Sequence, residues 1–487
     1  MPVVRGILET LFGLGLLGWA VRVAALIVVP VNRRPSSATA WLMLIFLLPY
    51  VGGAIFLLIG DPKLPRARRE KQRRANARIL ERTAGMQLAP PDDRRPPWLA
   101  PIVRLNRELG AMPLVTGNQV RLNDDYDGAI VEMAQAVDAA QHYVHCEFYI
   151  LAFDATTAPF FAALGRAAAR GVQVRVLWDH IGSRGVPAYR ATRRELDRIG
   201  VEHRLMLPVL PLRRQFQRPD LRNHRKLLVI DGHVAYVGSQ NLIDRTYGKR
   251  KNQRRGLKWQ ELVARVEGPV VGGVNALFLT DWFSETDEVL DGELLHSDPR
   301  LAATSLECQV VPSGPGFDGE NNLKLFNSLL YAARERVSIT SPYFVPDESL
   351  LRAVTTAAER GVAVELFVSA IGDQWMVYHA QRSYYEVLLR AGVRIYRYPA
   401  PFILHAKHLS VDHDVAVIGS SNLDMRSFEL NMESTLLVHG REFVDELRQI
   451  EDRYRAISAE LTLQEHLARP LGGRIVDNIA RLTSALQ

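Results

Sequence analysis

Two segments of this chain carry the same reactive side chains at the same spacing. The first is His224-Arg225-Lys226, four residues, Asp231, six residues, then Gly238-Ser239-Gln240-Asn241. The second is His405-Ala406-Lys407, four residues, Asp412, six residues, then Gly419-Ser420-Ser421-Asn422. Six residue types recur at one offset of 181 positions. A single His-x-Lys means little; six matched positions in register mean a duplicated site. The chain holds eight lysines against 52 arginines, yet both motifs carry Lys. These positions call for a compact point charge rather than a planar fork.

Such a pair of motifs suits phosphodiester chemistry without a metal. Imidazole, with an ordinary pKa near 6.5, serves as base, acid or nucleophile at neutral pH. One histidine can attack phosphorus while the other protonates the leaving oxygen. Lys226 and Lys407, with Asn241, Asn422, Ser239 and Ser420, can hold charge on the phosphoryl oxygens. One motif supplies half a site, and two facing halves supply a whole one. Asp231 and Asp412 belong to the repeated pattern as catalytic candidates, but each falls at a hairpin corner, where Asp is favoured for turn reasons. No cofactor is expected. His405 and His408 lack a surrounding acid cluster at ligand spacing, so no metal is expected either.

Positioning these groups requires strands. Leu221 to Ile230 alternates as one strand, Asp231-Gly232 signals a hairpin, and Val234 to Val237 returns. Val415 to Ile418 is the matching return in the second copy. Residues two apart on a strand share a face, which puts His224 beside Lys226 and His405 beside Lys407.

The surrounding sequence repeats as well. Strand-like runs Tyr143 to Leu151 and Val337 to Val345 precede helical stretches ending in Arg170-Gly171 and Arg360-Gly361. Strands Val172 to Trp178 and Val362 to Val368 follow, then Gly200-Val201 and Gly392-Val393 open another in each copy. The expected fold is α/β, with two tandem halves, 101–296 and 297–487, related by a pseudo-twofold.

Ahead of them, residues 6–29 form an apolar run interrupted by Glu9 and Arg22, and residues 38–60 carry no charge. Twenty-three uncharged residues exceed the roughly 20 needed to span a bilayer. The reading is a membrane anchor over 1–60, a transmembrane hairpin whose second helix kinks at Pro49. Arg33 and Arg34 lie in the connector; Lys63, Arg66, Arg68, Arg69, Lys71, Arg73 and Arg74 follow the second run. That excess puts the amino terminus and the carboxy-terminal part in the cytoplasm. Residues 61–100, basic and then Pro-rich (Pro90, Pro91, Pro96, Pro97), read as a tether without sustained periodicity.

A length of 487 residues fits two or three domains, and 47% apolar residues exclude a disordered chain. The net charge of +7 favours an anionic partner, nucleic acid or acidic lipid, without choosing between them. Two cysteines, Cys146 and Cys308, make no disulfide framework and read as buried thiols.

The duplicated HxKxxxxD and GSxN pattern resembles the phospholipase D superfamily. Arg34-Pro35-Ser36-Ser37, Arg222-Asn223-His224-Arg225-Lys226, Pro342-Tyr343-Phe344-Val345-Pro346 and Asn422-Leu423-Asp424-Met425-Arg426-Ser427 narrow the resemblance to bacterial cardiolipin synthases, over nearly the whole chain. The resemblance implies two phospholipase D-like α/β-sandwich halves behind two membrane segments, in the bacterial inner membrane. It implies transfer of a phosphatidyl group between phosphatidylglycerol molecules with release of glycerol. It also implies His224 as nucleophile and His405 as acid, then base. An acid downstream of each motif should hold a histidine: Glu433 after Asn431-Met432, and Glu261 after Trp259-Gln260, where many relatives have Asp.

Lesser features are the cation-rich loop Lys249 to Lys258, which can contact headgroups, and Arg213, Arg214, Arg218 and Arg222, which can attract an anionic lipid. The apolar stretch Pro399 to Leu404 reads as an ordinary strand. Competing functions are hydrolysis to phosphatidic acid, a nucleic-acid phosphodiesterase, and a non-enzymatic membrane-surface protein. The apolar runs and basic flank favour lipid, such as phosphatidylglycerol or another anionic phospholipid, over nucleic acid.

Overall fold

The computed structural model describes residues 2–31, 33, 35–60, 64–83, 95–210, 215–290, 306–317 and 319–482. The chain divides into two compact units, Met1–Lys63 and Leu64–Gln487.

The first unit is three helices, Pro2–Val28, Pro35–Leu47 and Pro49–Ile59. The uncharged run expected to be one kinked helix is instead two. Pro49 has no amide hydrogen and its ring blocks helix continuation, so the chain breaks at Leu48 and folds back. A Cβ on Gly52 would lie 2.9 Å from the Ile45 Cα, a close approach only glycine permits. Trp41 and Phe56 meet edge to face across the two limbs at 5.3 Å, and the Arg33 guanidinium lies 4.8 Å over the Phe56 ring. Both ends of this helical pair therefore lie together. Arg22, the cation inside the first apolar run, donates to the Phe46 carbonyl at 3.0 Å, beside the break. Among the described residues no helix is long and apolar enough to cross a membrane.

The second unit opens with a helix, Arg66–Thr83, where a tether was expected. Its Arg, Lys, Glu, Gln, Ala and Leu are strong helix formers, so propensity suffices without an apolar stripe. Arg68 pairs with Glu285 and Lys71 with Asp287, each at 2.6 Å, which docks it on the helix Val270–Thr286. Pro90 and Pro91 lie outside the described residues, as does the expected boundary at 296–297.

The first half supplies β1 (Val115–Asn123), β2 (Tyr143–Phe148), β3 (Gln173–Asp179), β4 (Glu202–Met206), the short pair β5 (Val209–Leu210) and β6 (Gln215–Phe216), β7 (Arg222–Asn223), β8 (Lys226–Ile230), β9 (Val234–Gly238), β10 (Lys258–Gln260) and β11 (Val263–Glu267). The second supplies β12 (Leu306–Ser313), β13 (Arg336–Thr340), β14 (Phe344–Val345), β15 (Ala363–Ser369), β16 (Arg394–Tyr398), β17 (Phe402–Leu404), β18 (His408–Val411), β19 (Val415–Gly419), β20 (Leu423–Asp424), β21 (Asn431–His439) and β22 (Ala459–Leu461). From the junction of β1 with β12, one half runs β1, β11, β9, β8, β2, β3, β4. The other runs β12, β21, β19, β18, β13, β15, β16. These seven strands pair off one for one, so the sheet itself carries the pseudo-twofold, and β22 extends the second half alone, antiparallel to β16. β2 is buried at every position, as expected of a strand covered on both faces.

Both expected hairpins form, with Ile230 opposite Val234 and Val411 opposite Val415. At their corners Asp231 and Asp412 take left-handed φ of 51° and 48°. The incoming strand is not continuous, however. β7 and β8 part at His224-Arg225, and β17 and β18 part at His405 to Lys407. At each break the chain leaves its own half: β7 pairs in parallel with β21, and β17 with β10.

Candidate active site

The breaks put each histidine against the opposite half. His224 donates its backbone N–H to the Met432 carbonyl at 2.9 Å, and His405 donates its own to Gln260 at 2.7 Å. These are the residues just before Glu433 and Glu261. The register therefore delivers each acid to the histidine of the other motif. The His224 Nδ1 lies 2.9 Å and 3.0 Å from the two Glu433 oxygens, and the His405 Nδ1 lies 2.7 Å from Glu261 Oε1. Sequence offset associates each acid with its own repeat; the fold crosses them.

An acid on Nδ1 sets the tautomer, because the proton there is donated to the carboxylate and Nε2 keeps its lone pair. The Ser420 carbonyl also accepts at 3.1 Å from the His224 Nδ1, so the second motif reaches the first histidine directly. Lys407 Nζ lies 3.2 Å from the His405 Nε2, and Lys226 donates to the His224 carbonyl. Tyr149 meets the His224 ring edge-on at 4.9 Å, and Tyr343 meets His405 at 6.3 Å. Lys226 Nζ also lies 5.3 Å over the Tyr149 ring, so His224 and Lys226 share one side.

The electrostatics bind these groups into one cluster. Burial, then Lys226, Lys407 and His405, push the His224 imidazole well below its ordinary pKa. Burial also lowers His405, with Glu261 opposing. Burial brings Lys226 down to about 7 and Lys407 down to about 8. Burial raises Glu433 to about 7, with Lys226 and Ser420 working against it. Burial also opposes ionisation of Glu261, but His405 and Lys407 outweigh it and keep that carboxyl below its ordinary value. The two acids thus differ, although the motifs match.

The remaining expected residues divide. Ser420 donates to Glu433 at 2.5 Å, and Ser239 accepts from the Leu262 amide at 3.0 Å beside Glu261. Asn241 accepts from the Ile150 amide at 3.0 Å and donates to Tyr247 at 2.9 Å; Tyr247 in turn donates to Glu261 at 3.3 Å. Both serines and Asn241 are thus engaged in holding the site together. Asn422 is buried with its Oδ1 unpartnered among the described residues.

Asp231 and Asp412 stand at the far end of their strands, about 16 Å of chain beyond the lysines at 3.3 Å per residue. Asp231 accepts from the amides of Gln141, His142 and Tyr143 at 2.7–2.8 Å. Asp412 does the same for Arg334, Glu335 and Arg336 at 2.8–3.2 Å. As catalytic candidates they are corrected: their carboxylates satisfy the backbone where β2 and β13 begin.

Arg222 is buried on Asp179 at 3.2 Å, and Arg218 pairs with Asp220, so neither is a free lipid lure; Arg213 and Arg214 lie outside the described residues. Both cysteines are free and buried. Among the described residues no group of three His, Cys, Asp or Glu is arranged to hold a metal. A largely apolar cavity of about 460 Å³ between the helices Arg66–Thr83 and Val270–Thr286 includes neither imidazole.

Sequence reasoning gave no role to Tyr149, Tyr343 or Arg225. The tyrosines follow the first strand of each repeat, a recurrence that alignment of the two copies would have exposed. Arg225, buried between Asp281 and the Glu433 carbonyl, has Ala406 as its counterpart and so left no repeat signal.

The family model described as "Cardiolipin synthase, PLD-like domain" matches residues 133–267 and 326–454, one copy in each half. Cardiolipin synthase A of Yersinia pseudotuberculosis serotype O:1b (strain IP 31758) is 34% identical over 466 residues, covering 93% of this chain and 94% of that protein. The chain belongs to the cardiolipin synthase family.

Its membership extends to the amino-terminal unit, where the model "Phospholipase_D-nuclease N-terminal" matches residues 19–60. Cardiolipin synthase A of Yersinia pestis shows the same 34% identity over 466 residues. Among solved structures, phosphatidylserine synthase of Haemophilus influenzae Rd KW20 shares the fold. It has a TM-score of 0.59 at 13% identity, over 80% of this chain and all of that one. This cardiolipin synthase-family chain therefore pairs two phospholipase D-like halves with a separate apolar unit.

Proposed function

We propose that the chain is a cardiolipin synthase, a membrane-bound phosphatidyltransferase working through a covalent phosphatidyl-histidine. The observation that carries this reading is the crossed pairing of His224 with Glu433 and His405 with Glu261. It provides two oriented imidazoles within one buried, lysine-bearing cluster.

In the first step the His224 Nε2 attacks the phosphorus of one phosphatidylglycerol. An N–P bond forms, the P–O bond to the headgroup glycerol breaks, and His405 gives its Nε2 proton to the departing oxygen. In the second, a hydroxyl of another phosphatidylglycerol returns a proton to His405 and its oxygen attacks phosphorus. The N–P bond breaks, cardiolipin leaves, and His224 is restored. Lys226 and Lys407 offset the charge on the non-bridging oxygens. The depressed basicity of His224 keeps its lone pair free for attack. The ionised Glu261 supports the imidazolium on His405. That asymmetry supports His224 as nucleophile.

The apolar first unit serves as the anchor, in the bacterial inner membrane with the catalytic part cytoplasmic. The helices Pro35–Leu47 and Pro49–Ile59 measure about 20 and about 16 Å, so each reaches only part way across a hydrocarbon core of about 30 Å. Because Arg33 and Phe56 meet, this pair enters and leaves on one face. The connector cations and those from Lys63 to Arg74 then share the cytoplasmic side, as the positive-inside tendency favours.

The test is incubation of the solubilised protein with phosphatidylglycerol, followed by lipid and headgroup analysis. Cardiolipin with equimolar glycerol is expected. Phosphatidic acid alone would assign the protein to hydrolysis, and no turnover of any phospholipid would sink the reading.

A further inference from the structure

The carboxy-terminal helix Leu471–Arg481 is turned inside out for a water-soluble surface. It buries Asp477 and Ala480, while Leu471, Ile475, Ile479 and the following Leu482 are 70%, 50%, 59% and 84% exposed. At 100° per residue these four fall within an arc of about 80°, opposite the buried pair. The inward Asp477 is satisfied by His379 and Arg469, each at 2.6 Å, so this orientation is built rather than incidental.

The stripe does not end with the helix. The His379 ring meets Trp375 at 4.5 Å with a tilt of 56°, and Trp375 is itself 65% exposed, with Met376 exposed beside it. The preceding residue, Gln374, donates to the Tyr343 hydroxyl at 3.1 Å, and Tyr343 is the ring edge-on to His405. On the same side Arg255 donates to the Gly372 carbonyl at 3.3 Å. That contact brings in the loop 249–258, where Lys249, Arg250, Lys251, Arg254, Arg255 and Lys258 are exposed, no acid intervenes, and none forms an ion pair among the described residues.

We propose that this face (the outward stripe, Trp375 and Met376, and the cationic loop) docks on an anionic bilayer surface and holds the cleft of His405 against it. The inference rests on the phosphatidyl-transfer reading. An apolar stripe with a tryptophan and adjoining unpaired cations is the composition that lies in a headgroup boundary. Apolar patches left open on a monomer mark contact surfaces. A twofold contact between copies through this face would bring like-charged loops together, which favours lipid as the occupant. Lipid would then pass from the headgroup layer to the imidazoles beside Tyr343 without crossing water.

The full-length Ile475→Asp/Ile479→Asp variant tests this on two substrates: phosphatidylglycerol in vesicles, and short-chain phosphatidylglycerol below its micellar concentration. The vesicle rate should fall roughly tenfold or more, as two buried isoleucines are lost from the interface, while the monomeric rate stays within about twofold. Equal loss on both substrates, or loss on neither, overturns the proposal. A second arm needs no turnover. An environment-sensitive dye on Ile479→Cys, selective because Cys146 and Cys308 are buried, should shift to the blue in single-copy nanodiscs of phosphatidylglycerol. A shift only where several copies share a bilayer assigns the face to self-association, and no shift leaves it in water; either result sinks the idea. If no phospholipid is turned over, the functional reading fails and the dye still decides the surface.

Discussion

His224 and Glu433 are 209 residues apart in sequence and 2.9 Å apart in space, and His405 and Glu261, 144 residues apart, meet at 2.7 Å. Removing either carboxylate should therefore damage the histidine of the other motif. Glu433→Gln and Glu261→Gln should each lower kcat by about 10²–10⁴-fold with folding intact, by analogy with the loss of an orienting acid in a catalytic triad. A substitution that left kcat within threefold would count against the crossed pairing as part of the machinery.

The unequal histidines predict a divided phenotype. With a phosphatidyl ester bearing a nitrophenol-type leaving group, which needs no acid, His405→Ala should still release a stoichiometric burst of chromophore. His224→Ala should release none. A burst from His224→Ala alone would reverse the assignment.

The depressed lysines set the alkaline side of the pH profile. A lysine is cationic only below its pKa, so kcat/KM should fall as pH rises through about 7 to 8, where Lys226 and Lys407 lose their protons. The Glu261 carboxylate raises Lys407, so Glu261→Gln should move that limb to lower pH. A free-enzyme limb near pH 10 is the contrary result.

Asp231 separates stability from chemistry. Three backbone amides lose their acceptor in Asp231→Ala, at an expected cost of about 2–4 kcal/mol given the strength of charged hydrogen bonds. Asp231→Asn retains the left-handed φ and part of the bonding, and should lose less. Denaturant unfolding measures both, and turnover per folded molecule should stay within about threefold. A thousandfold loss of turnover at unchanged stability would restore a catalytic role.

How much of this was legible depended on the range of the interaction. The duplicated motifs, the Asp231-Gly232 hairpin and the succession of strands and helices along each copy were readable because each is local or repeats in register. The partner of each acid was not, since Glu433 follows the second motif in sequence and only β7 beside β21 carries it to His224. The break at His224-Arg225 escaped notice for the same reason: alternation predicts a strand but not which sheet receives its first two residues. Arg66–Thr83 was misjudged by its lack of an apolar stripe, although composition alone favours helix there. The proline at 49 was read as a kink, but Gly52 beside Ile45 allows the tighter fold-back. The outward stripe of Leu471–Arg481 is amphipathic in sequence, and only its buried Asp477 reveals which face looks out.

The exchange of strands between halves has a consequence for a protein made from its amino terminus. A nascent chain that has finished its first half carries His224 but neither the β21 segment that seats it nor the carboxylate that orients it. The reactive centre is therefore absent until the ribosome has passed residue 433. A product that stops short of Glu433 holds His224 without its carboxylate partner.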